Sequence, residues 1–131
     1  MVVIDTDVLI YFLRASKEVV CNIEAILQTE KLGISIITLA EIYEGFFSQS
    51  ETMKTKLEHF EKFKNKHLTV INLDDDICKA FGKLRNFLRN KNKLIDNFDL
   101  LIAATCITYN LPLYTKNFKH FKKIDLLTLY E

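Results

Sequence analysis

The sequence predicts an α/β sandwich built on a mainly parallel sheet with helices on both faces. Three observations carry this reading. Short β-branched apolar runs alternate with longer segments of helical periodicity, and no hairpin turn joins one run to the next. The chain has 131 residues, 49% hydrophobic and 27% charged, which suffices for one buried core without disulfide or zinc support. No linker, repeat or Gly/Ser-rich stretch divides it, so residues 1–131 are expected to form a single domain.

Val2-Val3-Ile4 is β-branched and apolar, and reads as a buried strand ending at Asp5, with a helix after it. Residues 17–31 place Val19, Val20, Ile23, Ile26 and Leu27 at helical spacing, and Gly33 ends that pattern before a strand over Ile34-Ser35-Ile36-Ile37. Thr38 with Glu41 has the capping-box spacing of a helix that runs to about Ser48. Residues 52–66 read as a Lys/Glu-laced amphipathic helix and Leu68 to Leu73 as a strand. Asp74-Asp75-Asp76 suits the positive end of a helix dipole and opens a helix that continues to about Lys91. Residues 96–109 form another helix, Leu111 to Thr115 a strand with Pro112 near its start, and Leu126 to Tyr130 a final edge strand.

Cys21, Cys78 and Cys106 are odd in number and lack any C-x-x-C pair, which excludes a disulfide framework or thiolate zinc site and suits a cytoplasmic protein. The apolar run from Val8 to Leu13 is too short to cross a membrane. Asp5 and Asp7 precede it where a secretory signal needs positive charge, so neither a targeting segment nor a membrane partner is expected.

Net charge is +1, but it is unevenly spread: residues 1–50 carry three basic side chains against seven acidic, and residues 51–131 fifteen against ten. Lys83, Arg85, Arg89, Lys91 and Lys93 form one basic group. Lys116, Lys119, Lys122 and Lys123, interleaved with Phe118 and Phe121, form a second. Such groups either hold phosphates or line solvated helix faces.

In parallel sheets the ligand cleft lies beyond the carboxyl ends of the strands. Asp5, Glu41, Asp96 and Asp99 all fall at such positions. Two carboxylates about 5 Å apart repel by roughly 3 kcal/mol at an effective dielectric of 20, so a converging cluster calls for a cation. An all-oxygen set suits Mg²⁺ or Mn²⁺, and His59, His67 and His120 have no ligand-like spacing. Capping is the competing reading: Asp7 for the first helix, Glu41 with Thr38, and Asp96 with Asp99. Asp5, at the end of a buried strand, fits that reading least.

Four blocks then align in order over nearly the whole chain. Val3-Ile4-Asp5-Thr6-Asp7-Val8-Leu9-Ile10, the stretch S-I-I-T-L-A-E-I-Y-E-G from Ser35 to Gly45, I-D-N-F-D-L-L-I-A-A-T over 95–105, and Leu113 through Phe121 resemble the characteristic segments of PIN-domain ribonucleases. More narrowly they resemble the VapC-type toxins of toxin–antitoxin pairs. The resemblance implies a PIN-like three-layer sandwich and Mg²⁺- or Mn²⁺-dependent hydrolysis of RNA phosphodiesters. Asp5, Glu41 and Asp99 would be metal ligands, Asp96 an accessory acid, and Thr115 or Asn117 the residue orienting water. Thr6, Lys116 and Lys119 would meet the substrate. Many relatives carry Asp where this chain has Asn117, which removes a fourth acidic ligand. An antitoxin partner and a homodimer are also implied. The alternatives are a housekeeping PIN nuclease with the same residues, or a non-catalytic PIN or receiver-like binding module.

Overall fold

The computed structural model describes residues 1–49 and 53–131. Among them, β1 (Val2–Ile4), β2 (Leu32–Ser35), β3 (Leu68–Ile71) and β4 (Leu113–Tyr114) form a sheet in the order β3-β2-β1-β4. Every pairing is parallel, with Val3 opposite Gly33 on one side and Leu113 on the other. Around it lie α1 (Thr6–Leu13), α2 (Lys17–Thr29), α3 (Ile36–Phe47), α4 (Lys54–His67), α5 (Asp75–Asn90), α6 (Asn97–Thr108) and the single turn α7 (Phe118–Phe121).

Alternation along β1 and β4 divides the core into two layers. Val2, Ile4 and Tyr114 pack with Leu32 and Ile34 against α1 to α4, where Val8, Ile23, Ile42 and Phe60 are buried. Val3 and Leu113 face the opposite side and pack against α5, α6 and α7 through Ile77, Leu88, Leu100, Ala103 and Phe121. This is the three-layer sandwich expected from the alternation of runs. No helix among the described residues is long and apolar enough to cross a membrane.

Several expectations are corrected. The second strand covers Leu32–Ser35, two residues earlier than Ile34–Ile37, and Gly33 lies inside it instead of ahead of it. The cause is Ser35, whose Oγ accepts from the Ile37 N–H at 3.0 Å and turns the chain into α3 at Ile36. Ser35 is therefore the cap. Thr38 is buried within the helix, and Glu41 lies in its second turn, so the capping-box reading of Glu41 is removed.

At the amino end, Asp5 caps α1 by accepting from the Val8 N–H at 2.9 Å, and Asp7 lies exposed in the first turn. At the carboxy end there is no strand over Leu126–Tyr130. That segment touches β4 at one parallel bridge, Leu113 to Leu129, flanked by the bonds Leu113 N–H to Thr128 O and Tyr130 N–H to Leu113 O. A two-residue β4, preceded by Pro112 and followed by a Thr115 engaged elsewhere, has no further register to share. β3 is likewise shorter than expected, ending at Ile71. The predicted start of the fourth helix at Thr52 lies outside the described residues; α4 is observed from Lys54.

Candidate active site

Asp5 leaves the end of β1 with extended backbone, anchored by its N–H to Tyr114 O at 3.2 Å. Its side chain is only 3% exposed and fully engaged. Oδ1 accepts from the Val8 N–H, and Oδ2 accepts from the Thr115 hydroxyl. Burial pushes the carboxyl from 3.8 up to about 6; the Thr115 and Val8 bonds pull it down, and repulsion from Asp7 and Asp99 adds to the rise. Thr115, buried at the end of β4, also accepts from the Asn117 N–H at 2.9 Å. Its one proton is committed to Asp5, so this hydroxyl holds a carboxylate and has no second proton for a water.

Glu41 reaches the same end of the sheet from α3. Thr6 donates to its Oε1 at 2.6 Å and meets the Thr38 hydroxyl at 3.1 Å, so Thr6 is a buried support for Glu41. The Glu41 carboxyl is raised, chiefly by burial and then by Asp99, Asp96 and Asp7. Asp99 sits in the first turn of α6 and is also raised, by burial and by Asp96 and Asp7, while His120 pulls it down. Asp96 is the cap of α6, accepting from the Phe98 N–H at 3.2 Å. Asp99 is thus the acid that links the group: it acts on both Asp5 and Glu41, and Asp96 acts on Glu41 and Asp99.

These acids do not form a closed cage: among the described residues, no three His, Cys, Asp or Glu side chains are drawn together tightly enough to hold a metal ion. The donor set nevertheless fits a hard cation that keeps several waters and needs only one or two direct carboxylates. All three carboxyls are raised by burial and by other acids, and at Asp99 the neighbouring His120 opposes the rise. Cys106 adds no nucleophile, since it is buried and its thiol is pushed up to about 12.

The basic residues divide. Lys116, next to Thr115, pairs with Glu18 of α2 at 2.8 Å, while Asn117 and Lys119 are exposed. Arg85 is used internally: it donates to Ile95 O at 2.8 Å and to Asn97 Oδ1 at 2.5 Å, tying α5 to the entry of α6. Sequence reasoning missed this, and it missed His120, whose Nε2 lies 3.3 Å from Asp99 Oδ2. Nothing in residue spacing signals either interaction, because both depend on how α5 and α7 pack on α6.

The model of the PIN domain family matches residues 2–127. The chain belongs to the PIN-domain family. This PIN domain is 33% identical over 128 residues to Ribonuclease VapC1 of Methanocaldococcus jannaschii, covering 94% of this chain and 80% of that protein. It is 32% identical over 127 residues to Ribonuclease VapC2 of Rickettsia felis, covering 96% and 93%. Among solved structures, VapBC2 from Rickettsia felis bound to a DNA fragment from their promoter superposes with a TM-score of 0.89 at 30% identity, covering 99% of this chain and 98% of that one. VapBC-1 from nontypeable Haemophilus influenzae gives a TM-score of 0.87 at 27% identity, covering 100% and 98%.

Proposed function

We propose that this PIN domain is a Mg²⁺- or Mn²⁺-dependent endoribonuclease and the toxin of a toxin–antitoxin pair. The observation that carries the reading is that three separate elements bring Asp5, Glu41 and Asp99 to the carboxyl end of a parallel sheet, each beside its own side-chain partner, Thr115, Thr6 and His120. The names of its relatives supply the substrate class, RNA.

When bound, the ion supplies Lewis-acid polarisation of the scissile phosphate and a more acidic water. Asp5, Glu41 and Asp99 would hold it. Thr115 and the Val8 N–H keep Asp5 in place, and Thr6 keeps Glu41 in place, so both carboxylates are oriented before any ligand arrives. Asn117 spends its backbone N–H on Thr115 and presents an exposed side chain that can orient a water or a phosphate oxygen. Lys119, and Lys116 once released from Glu18, supply positive charge to the RNA backbone.

The antitoxin reading rests on the VapBC complexes among the structural relatives. It is supported by an apolar groove of about 460 Å³ beside the acids, lined by Phe12, Phe46, Phe60 and Phe63 with Glu41 among its walls. A homodimer would draw on the exposed Phe87 and Leu94. A cytoplasmic location suits the exposed free thiols of Cys21 and Cys78.

The test is incubation of the purified chain with end-labelled RNA and Mg²⁺. Internal cleavage leaving 5′-phosphate ends is expected; intact RNA with folded protein contradicts the reading.

A further inference from the structure

Each carboxylate at the site has a neighbour that holds it. Asp5 has Thr115 and the Val8 N–H, and Glu41 has Thr6. For Asp99 the corresponding neighbour is His120, on α7. That turn is fixed to the core by Phe121, 1% exposed, and is closed internally by bonds from the His120 and Phe121 N–H groups to Asn117 O. The imidazole leans on the Phe121 ring with centroids 5.6 Å apart. Its Nε2 is shut off from solvent and has no aligned hydrogen-bond partner, yet it lies 3.3 Å from Asp99 Oδ2. The two observations describe one pairing: the distance suits an interaction, and the angle falls short of a formed bond. A buried ring nitrogen without a partner is costly, so its direction toward a carboxylate calls for a reason.

We propose that His120 is a positioning residue for the metal site, its Nε2–H restraining one oxygen of Asp99 so that the other is available to coordinate. This rests on Asp99 being a ligand, as proposed above. The role belongs to the block that ends the sheet: Thr115 holds Asp5, Asn117 bonds back to Thr115, and His120 restrains Asp99, so the segment from Thr115 to Phe121 braces two ligands from different elements. Outer partners of this kind change metal affinity without touching the ion.

The experiment is calorimetric titration of Mn²⁺ into the metal-free full chain, comparing the parent with His120→Gln and His120→Leu, with melting temperatures measured alongside. His120→Leu keeps bulk and loses the donor; it should bind Mn²⁺ about 10–100-fold more weakly while remaining folded. Gln carries an N–H at the reach of Nε2 and should stay within about threefold of the parent. A merely structural role would lower the melting temperature of the Leu variant and leave Mn²⁺ affinity unchanged, and that result overturns the inference. If the Leu variant does not fold, His120→Ala takes its place: a loss of about tenfold or more beside a near-parental Gln variant supports the role, and parental Mn²⁺ affinity in the Ala variant overturns it. A parent that binds no Mn²⁺ overturns the metal reading itself and this inference with it, an outcome distinct from a binding parent matched by a binding Leu variant.

Discussion

The Thr115 hydroxyl donates to the Asp5 carboxylate across 110 residues of sequence, joining the ends of two neighbouring parallel strands at the candidate active site. The bond is buried, and it is one of two that keep Asp5 from rising further under the cost of burial. Thr115→Val removes the donor at nearly constant volume. It should lower RNA cleavage by about 10–100-fold, as loss of a partner that orients a ligand does. It should also cost about 1–2 kcal/mol of stability. Thr115→Ser should retain most of both. Cleavage rates and denaturant unfolding of the two variants check this.

The titration of Asp5 makes stability depend on pH. Its carboxyl is raised from 3.8 to about 6 in the folded chain. Between those values the folded state holds a proton that the unfolded state has released, so stability falls as pH rises through the window. The penalty is absent below the lower value and complete above the upper one, on the order of 2–3 kcal/mol. In the metal-free protein Asp5→Asn, which keeps an acceptor for the Val8 N–H, should therefore raise the melting temperature above the window and give no gain below it. Thermal unfolding in EDTA at pH values on either side of the window checks the sign; destabilisation at both would assign Asp5 a purely structural role.

Asp96 and Asp99 separate capping from ligation. Asp96 caps α6 through the Phe98 N–H, and Asn serves equally well at a cap, so Asp96→Asn should fold normally and retain measurable cleavage. Asp99 is half-buried and has no capping bond to lose, so Asp99→Asn should abolish cleavage and weaken Mn²⁺ binding. Parallel assays of the two variants check the ranking; a dead Asp96 variant beside an active Asp99 variant reverses it.

Lys116 is held by Glu18 in an exposed pair, which contributes little to stability. Lys116→Gln together with Lys119→Gln should weaken binding to all RNA sequences alike and flatten its salt dependence by roughly one unit of log–log slope for each phosphate no longer neutralised. Glu18→Gln should act in the opposite direction by freeing Lys116. Binding isotherms at several salt concentrations, in Ca²⁺ to slow cleavage, check both.

Much of this architecture is legible in the residues because local and tertiary preferences agree. Val2-Val3-Ile4 is a buried strand in both, and Asp74 and Asp96 cap the helices they were expected to open. Disagreement arises where a single side-chain bond outweighs propensity. Ile36 and Ile37 are β-branched and read as strand, but the Ser35 hydroxyl turns them into helix, which moves Glu41 out of any capping role. Leu126 to Tyr130 reads as an edge strand, but its neighbour β4 is too short to pair with it. The acids were legible as strand-end residues. Their supports, Thr6, Thr115 and His120, were not legible in those roles, because each partner is brought near by packing between elements distant in sequence.

If carboxylates at the end of this sheet drive RNA cleavage through a hard divalent ion, activity must follow the ion and Asp5 together. The direct measurement is the cleavage rate of purified protein after exhaustive EDTA dialysis, with Mg²⁺ or Mn²⁺ then restored, run beside Asp5→Asn. Cleavage that stops with EDTA, returns with the ion and fails to return in the variant is the predicted result. Cleavage that persists through EDTA, or returns undiminished in Asp5→Asn, would contradict it.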